Sequence, residues 1–330
     1  NNTYILYNEV KILKRNLILD AHADTIKEAL DDNLSIDNRK YSFNVSDIKD
    51  KLPYIQFLAS FVNPTYTEEL NGGFKRVNEI LDKFYYEYDK YSDYMKVIRT
   101  SENLDEIILE NKLGVILTVE NGSAISNDLS NIDLLYNRGI RIMSVTWNKD
   151  NELGCGAETI NDIGLTKLGK EYVEKINKKN ILIDISHLSK KGFYDVVNIT
   201  SKPIVATHSC ADKLCKHHRN LSDDQIKQIA KLNGVIGVCF YSKFLTKEIV
   251  ATADDIINHI EYIANLVGID YVGLGSDFDG ICKEDLPIDL KGVKDIDIIF
   301  NKMKSRGFSN EDILKVSSKN FVRILKENVL

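Results

Sequence analysis

The chain is poor in the residues that interrupt or staple a fold. Only four prolines occur in 330 residues, and no Gly/Ser-rich linker or internal repeat is visible. Nothing therefore punctuates the chain into separate units, and a single domain over 1–330 is the expected organisation. The five cysteines (Cys155, Cys210, Cys215, Cys239 and Cys282) make an odd count with no CxxC pair. That usage fits reduced thiols in a cytosolic protein rather than a disulfide framework. No apolar run approaches membrane-spanning length, and the N-terminal NNTYILYNEVKILKRN has no apolar leader core. Cytoplasmic placement with no membrane partner follows, although a chain that begins without Met leaves a removed leader open. A long basic stretch is missing too. Lys and Arg number 43 against 49 Asp and Glu, for a formal net charge of −6, and the basic segment at 213–219 is short. A nucleic-acid or anionic-membrane surface is not expected.

What is present is the composition of a globular protein, 43% hydrophobic and 28% charged. Eight short apolar runs, at 17–21, 54–62, 115–119, 141–146, 181–185, 204–207, 235–240 and 271–275, are rich in Ile and Val. Strands buried on both faces have this character. Between them lie segments of helical period. Phe74, Val77, Ile80, Leu81, Phe84 and Tyr88 share one face, as do Ile256, Ile260, Ile263 and Val267 ahead of a C-capping Gly268. Ser222-Asp223-Asp224-Gln225 is a capping box, and a last helix is expected after Ser309, carrying Ile313, Leu314 and Phe321. Strands alternating with helices predict an α/β fold, a (β/α)8 TIM-type barrel, with a doubly wound sheet as the rival. The 63–112 stretch is longer than one barrel helix needs and predicts extra helices between strands 2 and 3.

The polar residues that follow these strands carry the chemistry. His22 and Asp24 follow the first run in LILDAHAD, Glu120 the third in VILTVENG, and His187 the fifth in ILIDISH. His208 follows the sixth in IVATHS, and Asp277 the eighth in VGLGSDFDG. In a barrel, strand C-terminal ends converge on one face, so these six can meet. Taken singly, each has a plain alternative: a histidine after a strand can be a hydrogen-bonding partner, and an aspartate there can cap the next helix. Together they use three of the chain's six histidines at strand ends. Imidazole and carboxylate are zinc ligands, and one Glu can bridge two ions that polarise a carbonyl and activate water. A further carboxylate beside that water is the natural proton carrier. No cysteine sits at a matching strand end, so thiolate ligation is not expected.

The stretches DAHAD, VENG, IDISHLS, PIVATHS…CKHHRNLSDDQ and VGIDYVGLGSDFDG give the sequence a resemblance, over about 16–323, to the membrane (renal-type) dipeptidase family of zinc hydrolases, a branch of the amidohydrolase-like barrels. The resemblance implies two Zn2+ ions, one held by His22, Asp24 and Glu120 and the other by Glu120, His187 and His208. It implies that a hydroxide bridging the metals attacks the amide of a dipeptide, with Asp277 beside that water and Arg219 on the substrate carboxylate. It also implies tolerance of a D-residue at the C-terminal position. A homodimer is left open. Asp279 is read as structural, holding the turn before Gly280.

One position departs from the mammalian pattern. Where those members place a substrate-contacting histidine, the sequence reads SVTWNKDNELG, with Trp147 in its place. Bacterial relatives resemble the Trp-Asn form. Trp147 is read as a packing wall or a neutral donor, and Asn148 as a donor to substrate. Gly154 and Gly156 suggest a flexible loop beyond. His217, His218 and His259 receive no role. Two other readings stay open: a deacylase or lactonase on the same barrel, and a non-catalytic, metal-containing peptide-binding protein.

Overall fold

The computed structural model describes residues 17–330; the N-terminal stretch read for a leader lies outside them. Every one of the eight apolar runs is a strand. β1 (Ile18–Ala23), β2 (Tyr54–Phe61), β4 (Leu113–Glu120), β5 (Ile140–Ser144), β6 (Leu182–Asp184), β7 (Ile204–Ser209), β8 (Val235–Val238) and β9 (Val272–Leu274) pair in parallel around a closed ring. β2 joins β4 in unbroken register from Tyr54↔Leu113 to Phe61↔Glu120. The ring closes where β1 meets β9, at Asp20↔Leu274. The fold is thus the (β/α)8 TIM-type barrel, and the doubly wound alternative is excluded by the closure.

A ninth strand, β3 (Met95–Val97), was not expected. It pairs with Leu113, Gly114 and Val115 of β4, outside the ring. Three residues are too few to show a period-2 signature, so no pattern in the sequence marks it. It lies within the long stretch between β2 and β4, where the expected extra helices also occur. The helices that surround the ring include α1 (Thr25–Asp31), α2 (Gly72–Tyr91), α3 (Ser101–Glu110), α4 (Asn131–Asn137), α5 (Lys167–Lys178), α6 (Lys190–Ile199), α7 (Asp223–Lys231), α8 (Ala253–Val267), α9 (Asp297–Ser305) and α10 (Asn320–Asn328). None among the described residues is long and apolar enough to cross a membrane.

The strands bury alternate side chains in two clusters. Leu19, Phe57, Ile116, Ile142, Leu182, Val205 and Val235, one from each of seven strands, pack together and are closed off by Phe321 and Ile324 of α10. The other alternates, such as Ile183, Ile204 and Ile236, meet the inner faces of the helices at Val77, Ile80, Ile176, Ile229 and Ile256. Each such side chain contributes about 1.5–3 kcal/mol on burial.

The helix boundaries follow their signals. Ser222 and Gln225 form the expected capping box on α7. Gly268 ends α8 at φ +108°, a conformation other residues adopt only with strain. Ser309 caps the C-terminal helical segment through a second box with Asp312. That segment widens into a π turn at Lys315–Lys319 before α10.

Candidate metal centre

The ends of the strands bring the six predicted residues together at one rim of the barrel. His22 Nε2 lies 3.3 Å from Asp24 Oδ2, 3.4 Å from Glu120 Oε2 and 3.9 Å from Asp277 Oδ1. On the other side of Glu120, Oε1 is 2.9 Å from His187 Nε2, which in turn is 2.8 Å from His208 Nε2. Three groups of ligand atoms result, each gathered closely enough to hold a cation: His22, Asp24 and Glu120; Glu120, His187 and His208; and His22, His208 and Asp277. Glu120 belongs to two of them, one oxygen facing each.

Local backbone explains how the side chains reach the rim. His187 and Asp277 adopt left-handed backbone, at φ 69° and φ 62°, as does Asn121 after Glu120 at φ 77°. Such conformations cost non-glycine residues energy and concentrate where function requires an awkward turn. The β1–β9 junction is knitted by backbone bonds from Asp277 N–H to the His22 carbonyl (3.1 Å) and from Asp24 N–H to the Phe278 carbonyl (2.9 Å). Ser276 adds its N–H (2.7 Å) and its hydroxyl (2.5 Å) to the buried Asp20 carboxylate. Asp279 accepts from the Thr25 hydroxyl (2.5 Å) and from Ser42 N–H (2.6 Å), and so ties two loops beside the site.

These donors fit divalent cations. His22 Nε2 and Asp24 Oδ1 are buried yet make no hydrogen bond. Asn148 Oδ1 sits 2.6 Å from His187 Nδ1, and an amide oxygen can only accept. His187 therefore carries its proton on Nδ1 and presents a bare Nε2. Unpaired buried acceptors aimed at one spot are costly unless a cation meets them.

The electrostatics agree. Burial works against ionising Glu120, yet His187 and His22 hold its carboxyl well below the usual range. Burial and the Glu120 charge push Asp24 up to about 6. Burial, with Arg219 nearby, holds His187 down to about 3 and keeps it a neutral donor of lone pairs. Burial opposes the charged form of His22 as well, but the Asp24 and Glu120 carboxylates outweigh it and raise its pKa. Clustered carboxylates that pull a proton onto an imidazole mark a place short of positive charge.

A cleft of about 260 Å³ opens onto the centre, lined by Asp24, Glu120, His187, Asp277 and Arg219 together with Phe61, Trp147, Asn148, Tyr241 and Phe244. A cavity of about 490 Å³ backs onto it and shares His187 and Arg219. The half-buried Trp147 ring lies 5.3 Å from that of Phe61 and 6.1 Å from that of His187. That geometry favours the wall over the donor. Trp147→Phe is expected to change kcat/KM by less than about 5-fold, with losses that follow the bulk of the substrate side chain. A uniform loss of about 5- to 150-fold, the value of a buried hydrogen bond, would restore the donor role.

Asn148 has its oxygen committed to His187, which leaves its Nδ2 amide as the group it can offer to substrate. Some sequence-based expectations need amendment. The loop after Trp147 is closely packed: a Cβ at Gly156 would fall 2.3 Å from the Asn148 carbonyl oxygen, so glycine there permits close backbone approach. Asn151 and Asp150 side chains brace the same loop through backbone N–H groups. Cys239 does follow a strand, β8, and its thiol stands 3.8 Å from Asp277 Oδ2. None of the described cysteines joins a ligand cluster. The unassigned His259 is fully buried, accepting from Ala211 N–H and facing the Leu245 carbonyl, both at 3.0 Å.

The barrel and its rim of three histidines and three carboxylates define a metal-dependent hydrolase. The sequence model of the membrane dipeptidase family (peptidase family M19) matches residues 7–329, and the chain belongs to that family of hydrolases acting on dipeptides. It is 32% identical over 224 residues to an uncharacterized protein in the pqqA 5′ region of Klebsiella pneumoniae, covering 65% of this chain and 82% of the relative. It is 31% identical over 252 residues to the uncharacterized dipeptidase C965.12 of Schizosaccharomyces pombe, covering 73% of this chain and 59% of that one. The fold superposes with a TM-score of 0.87 on a metallo peptidase from Rhodobacter sphaeroides liganded with a phosphinate mimic of the dipeptide L-Ala-D-Ala. Identity there is 22%, and 96% of this chain and 100% of that one are covered.

Proposed function

We propose that the protein is a zinc dipeptidase holding two ions, with Glu120 between them, and that it accepts a D-residue at the C-terminal position. The observation that carries the substrate class is a buried cation that makes no ion pair among the described residues. Arg219 is only 4% exposed, its Nε makes no hydrogen bond, and it has no ion pair among the described residues. One Nη bonds the His208 carbonyl at 3.3 Å, and the guanidinium lies over Phe244. A buried guanidinium with donors left unpaired favours an incoming carboxylate, and its fork matches the C-terminal carboxylate of a dipeptide in the adjoining cleft.

Imidazole and carboxylate donors suit zinc. Two zinc ions bound there would polarise the scissile carbonyl and activate a water. Asp277, 3.9 Å from His22 Nε2, would take the proton of that water and return it to the leaving amine. Arg219 fixes the substrate's carboxylate end, and Phe61 and Trp147 wall a side chain. The stereochemical part of the proposal draws on the L-Ala-D-Ala mimic bound by the Rhodobacter sphaeroides peptidase.

A zinc-loaded panel of L,L and L,D dipeptides, run beside N-acyl amino acids, tests the reading. Turnover of dipeptides with free amino groups is the expected result. Preference for N-acyl substrates would assign a deacylase, and zinc binding without turnover of any amide would assign a binding protein. Within the panel, Arg219→Lys should weaken dipeptides by about 10-fold or more beyond its effect on their C-terminal amides, since a lysine cannot form two parallel hydrogen bonds. Equal losses on both would remove Arg219 from the carboxylate.

A further inference from the structure

We infer that Thr207 is a positioning residue for both halves of the centre, its single hydroxyl setting which nitrogen His208 and His22 present to the ions. The inference rests on the two-ion reading above and extends it to a residue that contacts neither ion.

The hydrogen inventory carries the case. Asp184, 4% exposed, spends Oδ1 on the N–H groups of Ser186 (2.9 Å) and Thr207 (3.0 Å), which pin the carboxylate in place. Its Oδ2 faces the Thr207 hydroxyl at 2.5 Å. A carboxylate can only accept, so the one hydroxyl hydrogen of Thr207 is committed to it. Two lone pairs remain on Thr207 Oγ1. One faces His208 Nδ1 at 2.9 Å, and the other faces His22 Nδ1 at a longer 3.5 Å. A ring nitrogen that meets a lone pair must bring the hydrogen, so on both rings in their neutral form Nε2 is the nitrogen left to meet a cation. Those two Nε2 atoms are the ones gathered with the carboxylates at the rim.

The arrangement is compact enough for one hydroxyl to serve both rings, whose centroids are 3.9 Å apart. Ser186 Oγ stands 3.4 Å from Thr207 Oγ1, about as near as His22 Nδ1, and accepts the His208 N–H at 3.3 Å. His187 is oriented separately, by Asn148. Two independent anchors therefore hold three imidazoles, and Thr207 holds two of them. Groups that orient metal-binding histidines typically contribute 10- to 100-fold to metal affinity.

The test reads zinc affinity and stoichiometry directly, by competition of the metal-free protein with a chromogenic chelator. Thr207→Val keeps the side-chain shape and removes the hydroxyl; it should weaken both ions by about 10- to 100-fold. Thr207→Ser should return both to within a few-fold of wild type, and Asn148→Ala should weaken one ion. Thermal melts of the metal-free proteins establish folding. Should Thr207→Val not fold, Thr207→Ala removes the hydroxyl without its steric demand and should show the same double loss. Two ions in the wild type with one or neither weakened in Thr207→Val overturns the inference alone. So does a loss that serine fails to restore, which would mark a packing role. A single ion in the wild type overturns the two-ion reading, and the two-sided role with it.

Discussion

Glu120→Gln is expected to remove one of the two proposed metal ions and to lower kcat by about 10³-fold or more, the loss of shared charge and of one ligand together. Glu120 offers one oxygen to each side, 2.9 Å from His187 Nε2 and 3.4 Å from His22 Nε2. An amide replaces one of those oxygens with an NH2 that can only donate, so one side loses its ligand whichever way the group turns. Elemental analysis after exhaustive dialysis counts the ions, and single-substrate kinetics gives the rate. Two tightly held ions in the variant, with turnover near that of wild type, would remove Glu120 from the bridging position.

The second large effect is expected at Asp277. Asp277→Asn should keep both ions and lower kcat by at least about 10²-fold, the usual worth of a positioned proton carrier. Near-normal turnover with both metals in place would assign the proton transfer to another group. The pH dependence adds a second readout. Burial pushes the Asp277 carboxyl up to about 8, with His22 and Arg219 opposing the shift and Asp24 and Glu120 adding to it. The carboxylate is the working form, so the rate should rise with pH through this pKa. Bound cations move that limb to lower pH, and the asparagine variant should lack it. The metal-free protein gives the same sign in a stability measurement. Its folded state holds the Asp277 proton more tightly than the unfolded chain does, from about pH 4 to about pH 8. Stability should therefore fall as pH rises through that window, and fall less in Asp277→Asn, as urea melts would show.

Much of this site is legible in the sequence because parallel barrel strands announce themselves. LILDAHAD and IVATHS place an apolar run directly before a ligand type, and closure of the ring turns six remote positions into neighbours. What the sequence hides is shorter or more particular. Met95–Val97 is too brief for a period. The anchor formed by Asp184 and Thr207 looks like an ordinary end of two strands, since nothing in a hydrophobic pattern says where a hydroxyl hydrogen goes. Gly156 suggests mobility by residue type, while its actual constraint, contact with the Asn148 carbonyl, exists only in the folded loop. Cys239 reads as one more core residue of its run, and its approach to Asp277 depends on how β8 and β9 are paired. Arg219 is conspicuous only as the end of a basic segment; that it makes no ion pair among the described residues appears only once it is buried.

The junction of β1 with β9 has a consequence for how the molecule is made. It joins residues 256 positions apart, Asp20 and Ser276, through one register pair and a few hydrogen bonds. Contacts of such sequence separation are slow to form, since the entropy of closing so long a loop is spent before the contact repays it. His22 and Asp24 stand on one side of this seam and Asp277 on the other, bonded across it by backbone. An ion that binds only the closed ring lends its binding free energy to closing it. A bound metal would therefore be a term in maturation as well as in turnover, because its ligands stand on both sides of the seam that closes the ring.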